Sequence, residues 1–360
     1  MSLDDPLIAE ARRQIEICNA CRYCEGYCSV FPAMTRQAEF ASGDITHLAN
    51  LCHNCRGCYY ACQYTPPHEF ALNLPAVLAE VRTESWARHI PLPGLSRLFQ
   101  THGAAIAGVT VAALAALFWA LAALRPEAGA GFYAYLSHTA MVAIFAPAFL
   151  VPLGLIALGM RSYWRETQGG NLRLADLRAA AASAARMRNL DGGQGQGCNF
   201  ETGDRFSNRR RHAHQAVMWG FLMCFAATSA GTLMHYLFDW PAPYPWWSPP
   251  KLLGVPGGML MVVGALSLIR LKLKAPRTLG DARAWGGEMG FVLLLGGTAL
   301  TGLALYAATG TVAVAPLLAV HLATVLALFV LLPFSKMVHG FFRFAALTAE
   351  AARARRATGS

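Results

Sequence analysis

Two short stretches carry most of the chemistry this chain can do. Residues 18–32 read CNACRYCEGYCSVFP and residues 52–66 read CHNCRGCYYACQYTP. Shifted by 34 positions, the four cysteines, an arginine and a proline coincide, so the pair is an internal repeat of C-x2-C-x2-C-x3-C. Three thiolates spaced two residues apart can wrap one face of an iron–sulfur cube and bind three of its irons. The fourth iron needs a thiolate from elsewhere, and in two-cluster ferredoxins the last cysteine of each run ligates the other cluster. The spacing therefore predicts one [4Fe–4S] cluster on Cys18, Cys21, Cys24 and Cys62, and a second on Cys52, Cys55, Cys58 and Cys28. Structural zinc is the competing reading. It takes four ligands per ion, commonly as two C-x2-C pairs, and accommodates the third cysteine of each run less well. Pro32 and Pro66 follow the fourth cysteine by four positions rather than directly, so the local turn departs from the common run. Arg22, Arg56 and the neighbouring tyrosines are expected to pack around the clusters. Cys198 and Cys224 have no spacing partner and are read as non-ligands.

Histidines form the second set. His138, His214, His235, His321 and His339 lie within or at the edges of apolar runs. A histidine at membrane depth is costly and is a functional hypothesis by default; imidazole is also the common axial ligand of b-type haem. No C-x-x-C-H occurs, so a covalently attached haem is not expected.

These residues need elements to hold them. Of the 360 residues 55% are hydrophobic and only 14% charged, against about a quarter charged in soluble proteins. The apolar residues concentrate after residue 100. Six runs approach the length of about 20 residues that a bilayer needs: 103–124, 132–158, 214–238, 253–271, 286–308 and 313–335. The second contains Pro147 and Pro152, which kink a span rather than exclude it. The formal net charge of +10 is not read as nucleic-acid binding, because Arg and Lys gather in alternate loops. Residues 82–97, 159–213, 270–283 and the tail are basic, whereas the loops near 125–131, 239–252 and 309–312 hold only Arg125 and Lys251. That asymmetry predicts both termini on the cytoplasmic side of a bacterial inner membrane. The start of the chain is polar and amphipathic, with no cleavable signal peptide expected; in a reducing compartment ten cysteines point to metal rather than disulfides.

The expected fold is all-α: an N-terminal helical two-cluster ferredoxin domain over residues 1–98, then a six-helix transmembrane bundle over 99–340, with a cytoplasmic loop at 159–213 and a basic tail at 341–360. Asp4 or Asp5 with Pro6, Ser42 or Asp44, and Asn73 with Pro75 read as helix starts. Residues 171–190 read as a surface helix capped by Asn171, lying on the membrane or meeting a partner, and DGGQGQG at 191–197 reads as a flexible hinge. Trp240, Tyr244, Trp246 and Trp247 suit an interfacial aromatic belt.

Depth then pairs the histidines. His214 and His235 are 21 residues apart on the third span, about 31 Å along a helix; His321 and His339 are 18 apart on and just past the sixth, about 27 Å. The two spans run in opposite directions, so they offer matched levels, and two b-type haems can be clamped by His214–His339 and His235–His321. His138, at the level of His235, can replace His321 or hydrogen-bond a propionate or a quinone.

With the two cysteine runs, the stretches RRRHAHQAVMWGFLMCFAATSAGTLMHY (209–236), APYPWWSPPKLLGVPGG (242–258) and HLATVLALFVLLPFSKMVHGFFR (321–343) resemble the tricarballylate-utilisation protein B family, also called citrate-utilisation protein B, over nearly the whole length. The resemblance implies an electron-transfer subunit of an oxidoreductase that reoxidises the reduced flavin of an FAD-containing partner, the A protein, which oxidises tricarballylate to cis-aconitate. Electrons would pass through the two clusters and one or two haems to quinone. The family pattern has paired histidines near the start of span three. Here Gln215 follows His214 and the second histidine is His212, which leaves the inner ligand open between His212 and His214. No G-x-G-x-x-G follows a strand, so FAD belongs to the partner. Two other readings fit the same elements: a quinone-linked subunit serving another flavoprotein dehydrogenase, and a non-enzymatic membrane iron–sulfur redox sensor or assembly protein.

Overall fold

The computed structural model describes residues 5–123, 136–201 and 205–357. Among these it is all-α, with thirteen α-helices and no strand; one isolated antiparallel bridge joins Cys198 to Ser207.

Five helices build the cysteine domain: α1 (Pro6–Cys21), α2 (Val30–Thr35), α3 (Ser42–Leu51), α4 (Gly57–Tyr60) and α5 (Leu74–His89). Their starts follow from the local sequence. The Asp5 carboxylate accepts the Leu7 N–H at 2.9 Å with Pro6 at the first helical position; Asp4 lies outside the described residues. Asn73 accepts the Ala76 N–H at 3.3 Å. α3 opens at Ser42 and is capped from within, the Asp44 carboxylate accepting the Ala41 N–H at 3.3 Å. Ile8, Ile15, Met34, Ile45, Leu48 and Leu78 are fully buried in the core beneath the cysteine loops, each stabilising the domain by roughly 1.5–3 kcal/mol.

The rest comprises α6 (Pro93–Ala123), α7 (His138–Glu166), a shorter α8 (Leu174–Arg186), α9 (Arg209–Leu237), α10 (Pro249–Lys274), α11 (Trp285–Ala307), α12 (Val314–Leu331) and α13 (Val338–Ala357). α6, α7 and α9–α12 are long and apolar enough to cross a membrane. Large apolar side chains such as Leu117, Leu150, Phe225, Val263 and Leu300 are exposed on their flanks, as a lipid environment requires. α6 starts earlier than the apolar run and bends at His102, where φ is −113°. α7 passes through Pro147 and Pro152 without breaking. It begins at His138, capped by Ser137, so that histidine sits at the helix end. The 125–131 loop and the start expected for span two lie outside the described residues. α9 and α10 pack closely because glycines meet: a Cβ on Gly220 would fall 2.6 Å from the Gly257 carbonyl oxygen.

One end of the bundle docks on the cysteine domain. Glu166, at the end of α7, accepts from Arg88 at 2.5 Å and from Thr46 at 3.1 Å. Arg210, in the first turn of α9, donates to the Asn54 carbonyl at 2.6 Å. Arg343, on α13, donates to the Cys52 carbonyl at 2.6 Å.

Two local expectations are corrected. α8 is capped by Asp176 rather than Asn171: its carboxylate accepts the Arg173 N–H at 2.8 Å and is gripped by Arg355 of α13 at 2.9 and 3.0 Å. The helix therefore packs on this chain's own terminal helix. The 191–197 segment is not a hinge but a tight turn against the first cysteine run. Gly193 has φ +88°, and a Cβ there would lie 2.2 Å from the Gly26 carbonyl oxygen.

Candidate redox site

The eight repeat cysteines line two cavities. The first, about 250 Å³, is bounded by Cys18, Cys21, Cys24, Cys58 and Cys62. The second, about 20 Å³, is bounded by Cys28, Cys52, Cys55 and Cys58. Each fourth cysteine thus sits with the first three of the other run, and Cys58 forms part of the wall between the cavities. The repeat is visible in the backbone: Arg22 and Arg56, equivalent positions, both take left-handed conformations with φ 56° and 67°, turning the chain so that successive cysteines face inward. Among the described residues no three histidine, cysteine, aspartate or glutamate side chains converge as on a single ion. A cube asks for thiols around a space, and that is what these residues offer.

The backbone supports sulfur anions. The Asn54 N–H points at the Cys52 Sγ and the Tyr64 N–H at the Cys62 Sγ, both at 3.4 Å. Val30 and Phe31 amides reach Cys28, and the Gly57 amide reaches Cys55. Such bonds tune the potential of a bound cluster. Burial, reinforced by neighbouring thiols, pushes Cys18 and Cys24 up to about 12, and burial pushes Cys55 to about 11. These groups become thiolates near neutral pH only against a bound cation, which fits iron ligands.

Beside the second cavity stands His53, a residue that sequence reasoning passed over as a spacer between Cys52 and Cys55. Its Nδ1 lies 2.8 Å from the Leu51 carbonyl. Burial, with Arg343, Arg210 and His214 close by, holds its pKa well below the ordinary histidine value. Arg82, Arg210 and Arg343 converge on this loop, donating to the carbonyls of Cys52, His53 and Asn54. His214 and His339 come next, with ring centroids 5.8 Å apart at 77°. His339 Nδ1 is bonded to the Lys336 carbonyl, which leaves Nε2 as the free ligand nitrogen. His214 Nδ1 is buried without a hydrogen-bond partner. Metal–imidazole bonds of about 2 Å put two axial nitrogens about 4 Å apart, so this pair fits a bis-imidazole site. His212 is half a turn away on α9 and makes no such pair.

At the other end of α9 the structure selects between the two partners expected for His235. Its ring stacks on His138, with centroids 4.5 Å apart at 23°, and the Tyr236 hydroxyl is 3.4 Å from His138 Nε2. His321 is not brought to His235. It turns to α11, its Nδ1 3.0 Å from the Thr301 Oγ1. The depth argument fixed the level of His321 but not its direction: α12 packs on α6 and α11, whereas α9 packs on α10. His235 Nδ1 is likewise buried and unpartnered. Between the two histidine levels lie Phe149, Phe225 and Phe329, with centroids 5.0 and 6.3 Å from ring to ring. The unpartnered nitrogens of His214 and His235 lie at the two ends of this stretch; His214–His339 fits a bis-imidazole haem, whereas the His138 and His235 rings, stacked face to face, leave no room for an iron between their in-plane lone pairs.

Cys198 is buried beside Cys55, Met187 and Leu190. Cys224 is half-buried in α9, facing the Gly254 carbonyl at 3.9 Å. Trp240, Trp246 and Trp247 are exposed at the bundle end remote from the cysteines, and the Tyr244 hydroxyl donates to the Gly231 carbonyl at 3.0 Å.

The family model described as citrate utilization protein B matches residues 95–360, and the one described as its Fer4-like domain matches residues 11–88. The citrate utilization protein B of Escherichia coli is similar throughout: 43% identical over 354 residues, 97% of this chain and 93% of that protein. No solved structure matches.

Proposed function

Because the chain belongs to the citrate utilization protein B family, we propose that it is the membrane electron-transfer subunit for a flavoprotein dehydrogenase of tricarballylate or citrate utilisation, set in a bacterial inner membrane with both termini cytoplasmic. When bound, two [4Fe–4S] clusters and one or two b-type haems supply the one-electron chemistry that links a reduced partner flavin to quinone. The protein's own residues do the rest. Cys18, Cys21, Cys24 and Cys62 hold one cluster; Cys52, Cys55, Cys58 and Cys28 hold the other. His214 and His339 would hold a haem, and His235 with His138 beside it is the candidate position for a second. Arg82, Arg210 and Arg343 keep positive charge beside Cys52, favouring the negative charge that reduction adds. Tyr23, 72% exposed beside the larger cavity, offers a face for the partner.

The observation that carries this reading is the order of groups from the cysteine domain into the apolar helices: two cysteine-lined cavities with Cys58 in both walls, His53 beside the second, the His214–His339 pair near the start of α9, and His235 at its other end. A redox sensor or assembly protein has no use for the far half of that order. The test is reduction of a water-insoluble quinone by the purified, cofactor-replete protein in proteoliposomes, with reduced flavoprotein as donor. Quinone reduction that stops on loss of either cluster supports the proposal; full cluster and haem content with no quinone reduction overturns it.

A further inference from the structure

A third cavity adjoins the second cysteine cavity, with which it shares Asn54 and Arg56, where the loop after α10 meets the cysteine domain and α11. It holds about 60 Å³ and is lined by six cations, Arg56, Arg82, Arg210, Lys272, Arg277 and Lys336, against two acids, Asp281 and Glu288. The acids are already engaged: Glu288 accepts from both Lys272 and Lys336, and Asp281 accepts from Arg283. Arg82 and Arg210 are spent on backbone carbonyls. The Arg277 guanidinium carbon lies 4.2 Å over the Trp285 ring. Arg56 is 4% exposed and stacks 4.5 Å over Phe200. Its Nε is satisfied by the Asn54 side chain at 3.1 Å, yet its Nη1 is buried with no hydrogen-bond partner. A buried guanidinium donor left open costs free energy unless something accepts from it.

We infer that this cavity binds one small oxyanion, a phosphate or carboxylate group, between Arg56 and Arg277. The space suits such a group: a single water needs only about 10–15 Å³ measured this way, so a handful of heavy atoms fit and a whole lipid does not. Planar guanidinium forks match phosphate and carboxylate oxygens. The cavity opens at the ends of α10 and α11 that face the cysteine domain, the level at which basic pockets between membrane helices meet anionic headgroups. The oxyanion therefore has two sources, an acidic phospholipid headgroup or a free ion.

The full chain in nanodiscs separates them, with the thermal unfolding midpoint as readout. In phosphatidylcholine discs, inorganic phosphate should raise the midpoint saturably, at constant ionic strength against chloride, if the site takes a free ion. If it takes a headgroup, phosphate does nothing and phosphatidylglycerol in the discs raises the midpoint. In either case Arg277→Gln, remote from the cysteines, should weaken the response about tenfold, as expected for one charge-assisted contact. Arg56→Gln should abolish it, with iron content measured in parallel to exclude cluster loss. No response to either probe, or responses unchanged in Arg277→Gln with iron intact, overturns the inference.

Discussion

The His214 ring stands 5.8 Å from the His339 ring at 77°, joining the second turn of α9 to the start of α13 where the helix bundle meets the cysteine domain. Both substitutions His214→Ala and His339→Ala should lower haem per chain, by at least the 10–100-fold in affinity that loss of a supporting partner costs a metal ligand. The pyridine haemochrome assay reads this directly. His138→Ala should behave like His235→Ala, and His321→Ala should keep its haem; the opposite order would mean that α12, not α7, supplies the far ligand.

The exchanged fourth cysteines make a distinctive prediction. Cys62→Ser should remove the cluster of the first run and leave that of the second, and Cys28→Ser the reverse. Iron and acid-labile sulfide should each fall by about half, and paramagnetic resonance of the reduced protein should show a different surviving signal in each variant. If Cys28→Ser spared the second-run signal, each run would be holding its own cluster.

Gly193 allows the 191–197 turn to lie on Gly26. Gly193→Ala meets both a positive φ and a backbone clash, and should destabilise the protein by at least about 1 kcal/mol. Loss of cluster absorbance in air should be faster than in the parent.

His47 is fully buried on α3, 3.5 Å from Glu350. Burial, with Arg353 and Arg36 nearby, lowers its pKa to about 3. The folded pKa is depressed, so below about 6.5 the unfolded ring takes a proton that the folded ring cannot. Stability should therefore fall as pH drops from about 6.5 toward 3, by about 1 kcal/mol per unit. His47→Gln should flatten that limb in thermal melts between pH 4 and 7.

Tyr23 is 72% exposed at the rim of the larger cysteine cavity. Tyr23→Ala should leave iron and haem unchanged while raising the partner concentration needed for half-maximal flavin reoxidation. A loss of iron instead would mark Tyr23 as a structural lid.

Much of this arrangement was legible in the residues. The cysteine repeat carried the fourth-ligand exchange, because the spacing alone says that three thiols wrap a face and one must come from elsewhere. Asp5 and Asn73 announced their helices through side-chain acceptors. The histidine levels followed from rise per residue. What did not follow was azimuth: His321 and His138 were equivalent by depth, and only the packing of α12 on α11 turned His321 away. His53 hid inside the cysteine run, where every intervening residue reads as spacer. The glycine-rich 191–197 stretch misled because glycine serves a flexible joint and a close approach equally well; the carbonyl of Gly26, 167 residues earlier, decides between them.

The shared cavities also set an order of manufacture. If the fourth ligands are exchanged as proposed, residues 18–24 offer a cube only three thiols as the chain leaves the ribosome, and the fourth, Cys62, is the last of the eight to be made. The second cavity has its early member, Cys28, waiting before Cys52 exists. On that assignment neither set of four thiols is complete until the second run has been translated, so the first run could not take up a finished cube on its own.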